Sequence, residues 1–167
     1  MPEIPSEEEL AAAVERAKDL PRISKDDIKP EEIKGPSPFG NNFYILFLEI
    51  QHVRENPDNI SATTYLREAE KLGKPWQDFL SQNTELLAEI DTALDQWKIY
   101  DEIMEVAINL AIATRDRAKL DDFNKRFNED LGINAIAIPI YRRLNPLLQQ
   151  AADAMRNLGI DPIALAG

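Results

Sequence analysis

From Trp76 to Leu131 the chain runs for 56 consecutive residues without a glycine or a proline. These are the two residues a helix interior tolerates least, at about 1 and about 3 kcal/mol relative to alanine. The stretch is rich in Leu, Ala, Glu, Ile and Lys, and apolar or small residues recur at three- and four-residue steps: Leu86, Ile90, Ala93, Trp97, Tyr100, Met104, Ala107 and Ala111. Leu87, Leu94, Ile103, Ile108 and Leu110 widen this seam into a broad apolar face. That periodicity predicts an amphipathic helix, the core-facing stripe of a bundle. An intermolecular coiled coil is the second use of such a seam.

Length limits the prediction. At about 1.5 Å per residue the whole stretch would extend ~84 Å as one helix. A 167-residue domain has a radius of gyration of only about 15 Å, so the helix is expected to break. Ser81-Gln82-Asn83-Thr84 offers N-caps before Leu86, and the seam loses phase at Thr114-Arg115-Asp116-Arg117 before Leu120, Phe123, Phe127 and Leu131 resume it.

Elsewhere the ends of helices are signposted. Ser6-Glu7-Glu8-Glu9 reads as a capping box opening a short helix from Glu7 to about Asp19, the element expected to be mobile or partner-dependent. Residues 20–41 contain Pro21, Pro30, Pro36 and Pro38 with Gly35 and Gly40, and read as an irregular connector with one turn at Pro30-Glu31-Glu32-Ile33. Asn42 to Glu55 is apolar on nearly all sides, which predicts a central helix, with a buried strand over Phe43 to Leu48 as the alternative. Ser61 or Thr63 is expected to cap a helix that runs to Leu72 and stops at Gly73. Leu131-Gly132-Ile133 and Leu158-Gly159-Ile160 both look like a glycine stop followed by a hydrophobe. Ile133 to Ile138 reads as a short extended linker, and Asn145-Pro146 as the cap and first residue of the last helix. The uncharged tail, Pro162 to Gly167, suits either the interior of a longer chain or a segment docked on the body or a partner. The expected fold is therefore all-α: a helical bundle around one long, kinked helix. Residues 1–41 form an N-terminal helix and Pro-rich connector, and 42–167 the bundle core, within a single domain overall.

Composition narrows function mainly by exclusion. The chain has no cysteine and a single histidine, His52, so thiol chemistry, disulfides, cysteine-based metal sites and any two-histidine site within one chain are impossible. A net charge of −11 disfavours nucleic acid and anionic lipid as partners. No uncharged run approaches the ~20 residues of a membrane span. The acidic start, Met1-Pro2-Glu3 with Glu7 to Glu9, is unlike a signal peptide. A cytoplasmic location is expected, although a secreted chain with its signal removed would have the same composition. No phosphate-cradling glycine motif occurs, and no cofactor is implied.

Two patterns bear on chemistry. Glu49-Ile50-Gln51-His52 places a carboxylate and an imidazole on one helix face, the spacing used by carboxylate-bridged metal proteins; a half-buried or surface histidine near a helix end is the plainer reading. Acids are also concentrated in the long helix, at Glu85, Glu89, Asp91, Asp95, Asp101, Glu102 and Glu105, with only Lys98 among them. Of these, Asp101, Glu102 and Glu105 have the composition of a general acid–base group, although a solvated face is the simpler expectation. The C-terminal arginines Arg142, Arg143 and Arg156 are expected to fold back onto this acidic half, and a docking face for a basic partner is the functional reading. The leading function is a non-catalytic protein–protein interaction module (adaptor, regulator or complex subunit) that binds a protein, basic or a second copy of itself. The second is a membrane-acting helical protein such as a pore-former component, inserting Val106–Thr114 or Leu131–Tyr141. The third is a metal protein using Glu49 and His52.

Overall fold

The computed structural model describes residues 3–29, 41–58 and 64–166. Among them the chain is all-helical: α1 (Glu7–Ala17), a 3-10 turn (Lys25–Asp27), α2 (Asn41–Glu55), α3 (Thr64–Glu70), α4 (Lys74–Gln82), α5 (Thr84–Thr114), α6 (Arg117–Lys125), α7 (Asn134–Asn157) and α8 (Pro162–Ala166). The strand alternative for Phe43 to Leu48 is thereby replaced by helix. The expected turn at Pro30–Ile33 and the caps at Ser61 and Thr63 lie outside the described residues.

Both expected breaks in the Gly/Pro-free stretch occur, each with a local cause. Asn83 closes α4 by donating its side-chain amide to the Phe79 carbonyl at 2.8 Å, and its own carbonyl accepts the first α5 bond from Leu87 N–H at 2.9 Å. At the other end Arg115 turns into the left-handed region (φ 48°), and the Asp116 side chain then caps α6 by accepting from Ala118 N–H at 3.0 Å.

The chain divides into two compact units, residues 1–35 with 95–142, and 36–94 with 143–167. α5 and α7 each contribute a part to both. In the first unit α1 is a constituent of the core. Leu10, Ala13, Ala17 and Leu20 are buried with Ile103, Ala107, Leu110, Phe123, Phe127, Ile136 and Ile140. Ser6 caps α1, its hydroxyl accepting from Glu9 N–H at 3.1 Å, which is the serine half of the expected capping box. The segment after α1 is held as well. Arg22 donates to the Phe127 carbonyl at 2.8 Å, and the Asn128 side-chain amide donates to the Ile23 carbonyl at 3.4 Å. Arg142 donates to the Asp27 carbonyl.

Residues Asn134–Ile138 are helix rather than an extended linker, and α7 continues through Asn145-Pro146 rather than beginning there. Pro139 has no N–H to offer Ala135, whose carbonyl would be orphaned inside a buried segment. Ile23 N–H supplies the missing donor at 3.1 Å. A long-range bond from the connector thus makes the proline tolerable in the second turn of the helix, and nothing local in the sequence announces it.

In the second unit α2 packs against α3 and α8, and α3 against α4 and α8. Phe43, Tyr44, Leu46, Phe47 and Ile50 of α2 are buried, whereas Ile45 is exposed and Leu48 half-buried, so the helix is central to the core without being covered on every side. Gly159 ends α7 as a Schellman motif: Ile160 N–H donates to the Met155 carbonyl at 2.9 Å, Gly159 N–H donates to the Arg156 carbonyl at 3.0 Å, and Ile160 is buried. Gly132 (φ 57°) does not stop a helix directly, because α6 ends at Lys125 and a series of turns intervenes. Asp161 caps α8 by accepting from Ile163 N–H at 3.0 Å, so the uncharged tail docks on the body.

Candidate functional site: the exposed face of α5

The seven acids of α5 fall into different situations. In the second unit Asp91 is bound by Arg54 of α2 at 2.8 Å, while Glu85 and Glu89 are exposed. In the first unit Asp95 lies 3.9 Å from Lys98, and Glu102 forms an ion pair with Arg16 of α1. Arg54 and Arg16 thus reach the acidic helix from α2 and α1. Among the C-terminal arginines, Arg142 donates to the Asp27 carbonyl and Arg156 lies 3.3 Å from Asp153.

Asp101 and Glu105 have no ion pair among the described residues, and both are exposed. They crowd each other: partial burial, Glu105 and then Glu102 hold the Asp101 carboxyl above its ordinary range. They also lie on one helical stripe with Ile108 and Ile112, at steps of four, three and four residues, and Arg115 follows just past the end of the helix, at its left-handed turn; all five are exposed. Each isoleucine is 51% exposed, although the seam in the sequence counts Ile108 among the apolar, core-directed residues. The opposite face of this part of α5 carries the buried Ile103, Ala107 and Leu110. The signal for this stripe is present in the sequence: Ile108 and Ile112 share their register with Asp101, Glu105 and Arg115, three charges that no core would accept.

The remaining titratable cluster is aromatic. Tyr100 and Tyr141 meet edge to face, with centroids 6.3 Å apart, and Trp97 hydrogen-bonds to the Tyr141 hydroxyl. Burial, followed by Tyr141 and Asp101, pushes the Tyr100 phenol up to about 12. Tyr141 is raised in the same way by burial, partly offset by the Trp97 bond. Phenols held protonated serve as donors and as packing surface rather than as bases.

Glu49 has a structural task. Its two carboxylate oxygens accept from Thr64 N–H at 3.1 Å and Leu66 N–H at 2.8 Å, so it caps α3 from the neighbouring α2. Both oxygens are thereby engaged, and the negative charge sits at the positive end of the α3 dipole. His52, three residues on, is exposed. No cluster of three or more His, Asp or Glu side chains suited to a metal ion occurs among the described residues.

Two open clefts accompany these features. One of about 240 Å³ lies between α1 and α5 in the first unit, beside the Arg16–Glu102 pair. The other, of about 220 Å³, lies in the second unit among Ile50, Val53, Leu66, Leu80 and Leu87, with Arg54 and Glu70 also lining it. Among the described residues no helix is long and apolar enough to cross a membrane, and within Leu131–Tyr141 Ala135 to Ile138 and Ile140 are buried, Ile136 and Ile140 in the first unit's core.

Fold and site together define an all-helical protein with one long helix whose solvent face mixes unpaired acids with exposed isoleucines. No protein-family model matches the chain, and no curated protein or solved structure matches it.

Proposed function

We propose that the chain is a non-catalytic α-helical interaction module of the cytoplasm, binding a protein partner through the exposed face of α5. The observation that carries this reading is the stripe Asp101, Glu105, Ile108, Ile112. Two half-exposed isoleucines sit beside carboxylates that no cation of the described chain neutralises. Contiguous apolar surface rimmed by charge is the composition of a recognition patch, since the isoleucines gain by leaving water and the carboxylates select and steer the partner. Glu85 and Glu89, in the second unit, are exposed acids of the same helix. A cysteine-free composition suits the reducing compartment in this reading.

The test compares affinity capture from cytoplasmic extract by the wild-type chain and by an E85Q/E89Q/E105Q/I108S variant, at low and at high salt. A defined set of proteins retained by the wild type, released by salt and not retained by the variant is expected. Identical recovery on both, or a wild-type chain that retains nothing at low salt, refutes the reading.

A further inference from the structure

We propose that the exposed stripe of α5 in the first unit pairs with the same stripe of a second copy, antiparallel, about a two-fold axis passing near Leu110. This deepens the interaction-module reading and rests on it, by naming one partner. The argument is the order of charges along the stripe. Reading from Asp101 to Arg115, the exposed positions are acid, acid, apolar, apolar, base. Such a sequence is complementary to its own reverse. When two copies run antiparallel, Ile108 of each lies against Ile112 of the other, and Glu105 of each lies against Arg115 of the other. One patch then serves both partners, as an isologous interface demands. Parallel pairing in register would instead place acid on acid and base on base.

Three further observations fit this arrangement. Within one chain Glu105 and Arg115 are ten residues apart, about 15 Å along the helix axis, so they do not satisfy each other. Neither makes an ion pair among the described residues, and Asp101, which makes none either, is under repulsion from Glu105 and Glu102. Beyond Arg115, Lys119 is exposed with no ion pair among the described residues, while Arg117 lies 3.9 Å from Asp121. Glu105 and Arg115 thus sit at opposite ends of the exposed stripe, too far apart to meet except on another molecule.

The symmetry supplies an unusually discriminating test. Self-association of the wild type and of the E105R, R115E and E105R/R115E variants is measured by sedimentation velocity over a concentration series, with helix content checked by circular dichroism. The wild type is expected to dimerise reversibly. Each single reversal creates two like-charge contacts per dimer and should weaken it at least about tenfold. The double variant restores both pairs with inverted sign and should recover dimerisation. An equimolar mixture of the E105R and R115E proteins should associate although neither does so alone. General repulsion between acidic chains makes a different prediction, since E105R reduces the net negative charge by two and would tighten association. An I108S/I112S variant should be monomeric. A wild type that stays monomeric at every concentration, single reversals without effect, or a double variant no better than the singles would each overturn the pairing. If the wild type is monomeric but its extract partners are still lost in the capture variant above, self-pairing fails while the interaction-module reading stands; if capture is empty as well, both fail.

Discussion

Replacing Gly132 by alanine should destabilise the first unit through a specific neighbour as well as through backbone strain. Gly132 has φ 57°, where an L side chain costs about 1–2 kcal/mol. The smaller unfolded-state entropy of alanine offsets about 0.4–1 kcal/mol of that. A Cβ added here would also run into the side chain of Asn124, closer than any real contact. Asn124 has no spare freedom, because its Oδ1 accepts from Ile133 N–H at 2.7 Å in a part-buried setting. Moving it leaves that N–H without its acceptor, a loss of about 1–1.5 kcal/mol. G132A should therefore cost about 2–2.5 kcal/mol in total. N124A alone loses the same hydrogen bond, about 1–1.5 kcal/mol, and clears the space around position 132. The two losses overlap, so the double variant should be less destabilised than the sum of the singles by about 1 kcal/mol or more. Urea unfolding followed by far-ultraviolet circular dichroism and tryptophan fluorescence measures all four corners of the cycle. Strict additivity would show that the alanine methyl leaves Asn124 undisturbed and would refute the reasoning.

Three other outcomes follow from the same contacts. Leu10→Ala should lower the stability of the first unit by about 2–3 kcal/mol, since Leu10 is buried against it, and a change under about 0.5 kcal/mol would mean that α1 does not belong to that core. Glu49→Ala should cost about 1.5–3 kcal/mol, as hydrogen bonds to a charged group do, with Glu49→Gln intermediate because one amide oxygen can still accept; a loss of stability under about 0.5 kcal/mol would remove the capping role. Between pH 10 and about 12 an unfolded Tyr100 has released its proton and the folded one has not, so the native state binds more protons and stability falls as pH rises. Tyr100→Phe should flatten that alkaline loss in urea titrations at stepped pH, and an unchanged slope would contradict it.

What was legible in the sequence was whatever is decided within a few residues. The N-cap at Ser6, the interruptions near Asn83 and Arg115, and the glycine stop at Gly159 each depend on neighbours three to five positions away, and each occurs. What failed depended on partners distant in the chain. The Ile133–Ile138 segment reads as a linker because Pro139 follows it, and it is helical because Ile23, more than a hundred residues earlier, takes up the freed Ala135 carbonyl. Glu49 reads as half of a metal motif because His52 is three residues on, but its partners are the amides of α3. The first unit's pairing of residues 1–35 with 95–142 has no local signature at all.

The long seam shows the same limit in a form that bears on function. A three-and-four periodicity states that a helix has an apolar side, and an apolar residue contributes to the pattern whether it faces a core or water. α5 supplies Leu87, Ile90, Ala93 and Leu94 to one unit and Ile103, Ala107 and Leu110 to the other, so no single stripe describes its burial. Ile108 and Ile112 are then surplus to the first unit's core. Burying two isoleucines is worth about 1.5–3 kcal/mol each when they are fully withdrawn from water, and half that exposure is still open on each. That is enough to sustain a reversible contact and too little to enforce an obligate one. Under this balance the charges at Glu105 and Arg115 decide which surface the isoleucines meet, because apolar contact alone does not distinguish a second copy from any other apolar patch.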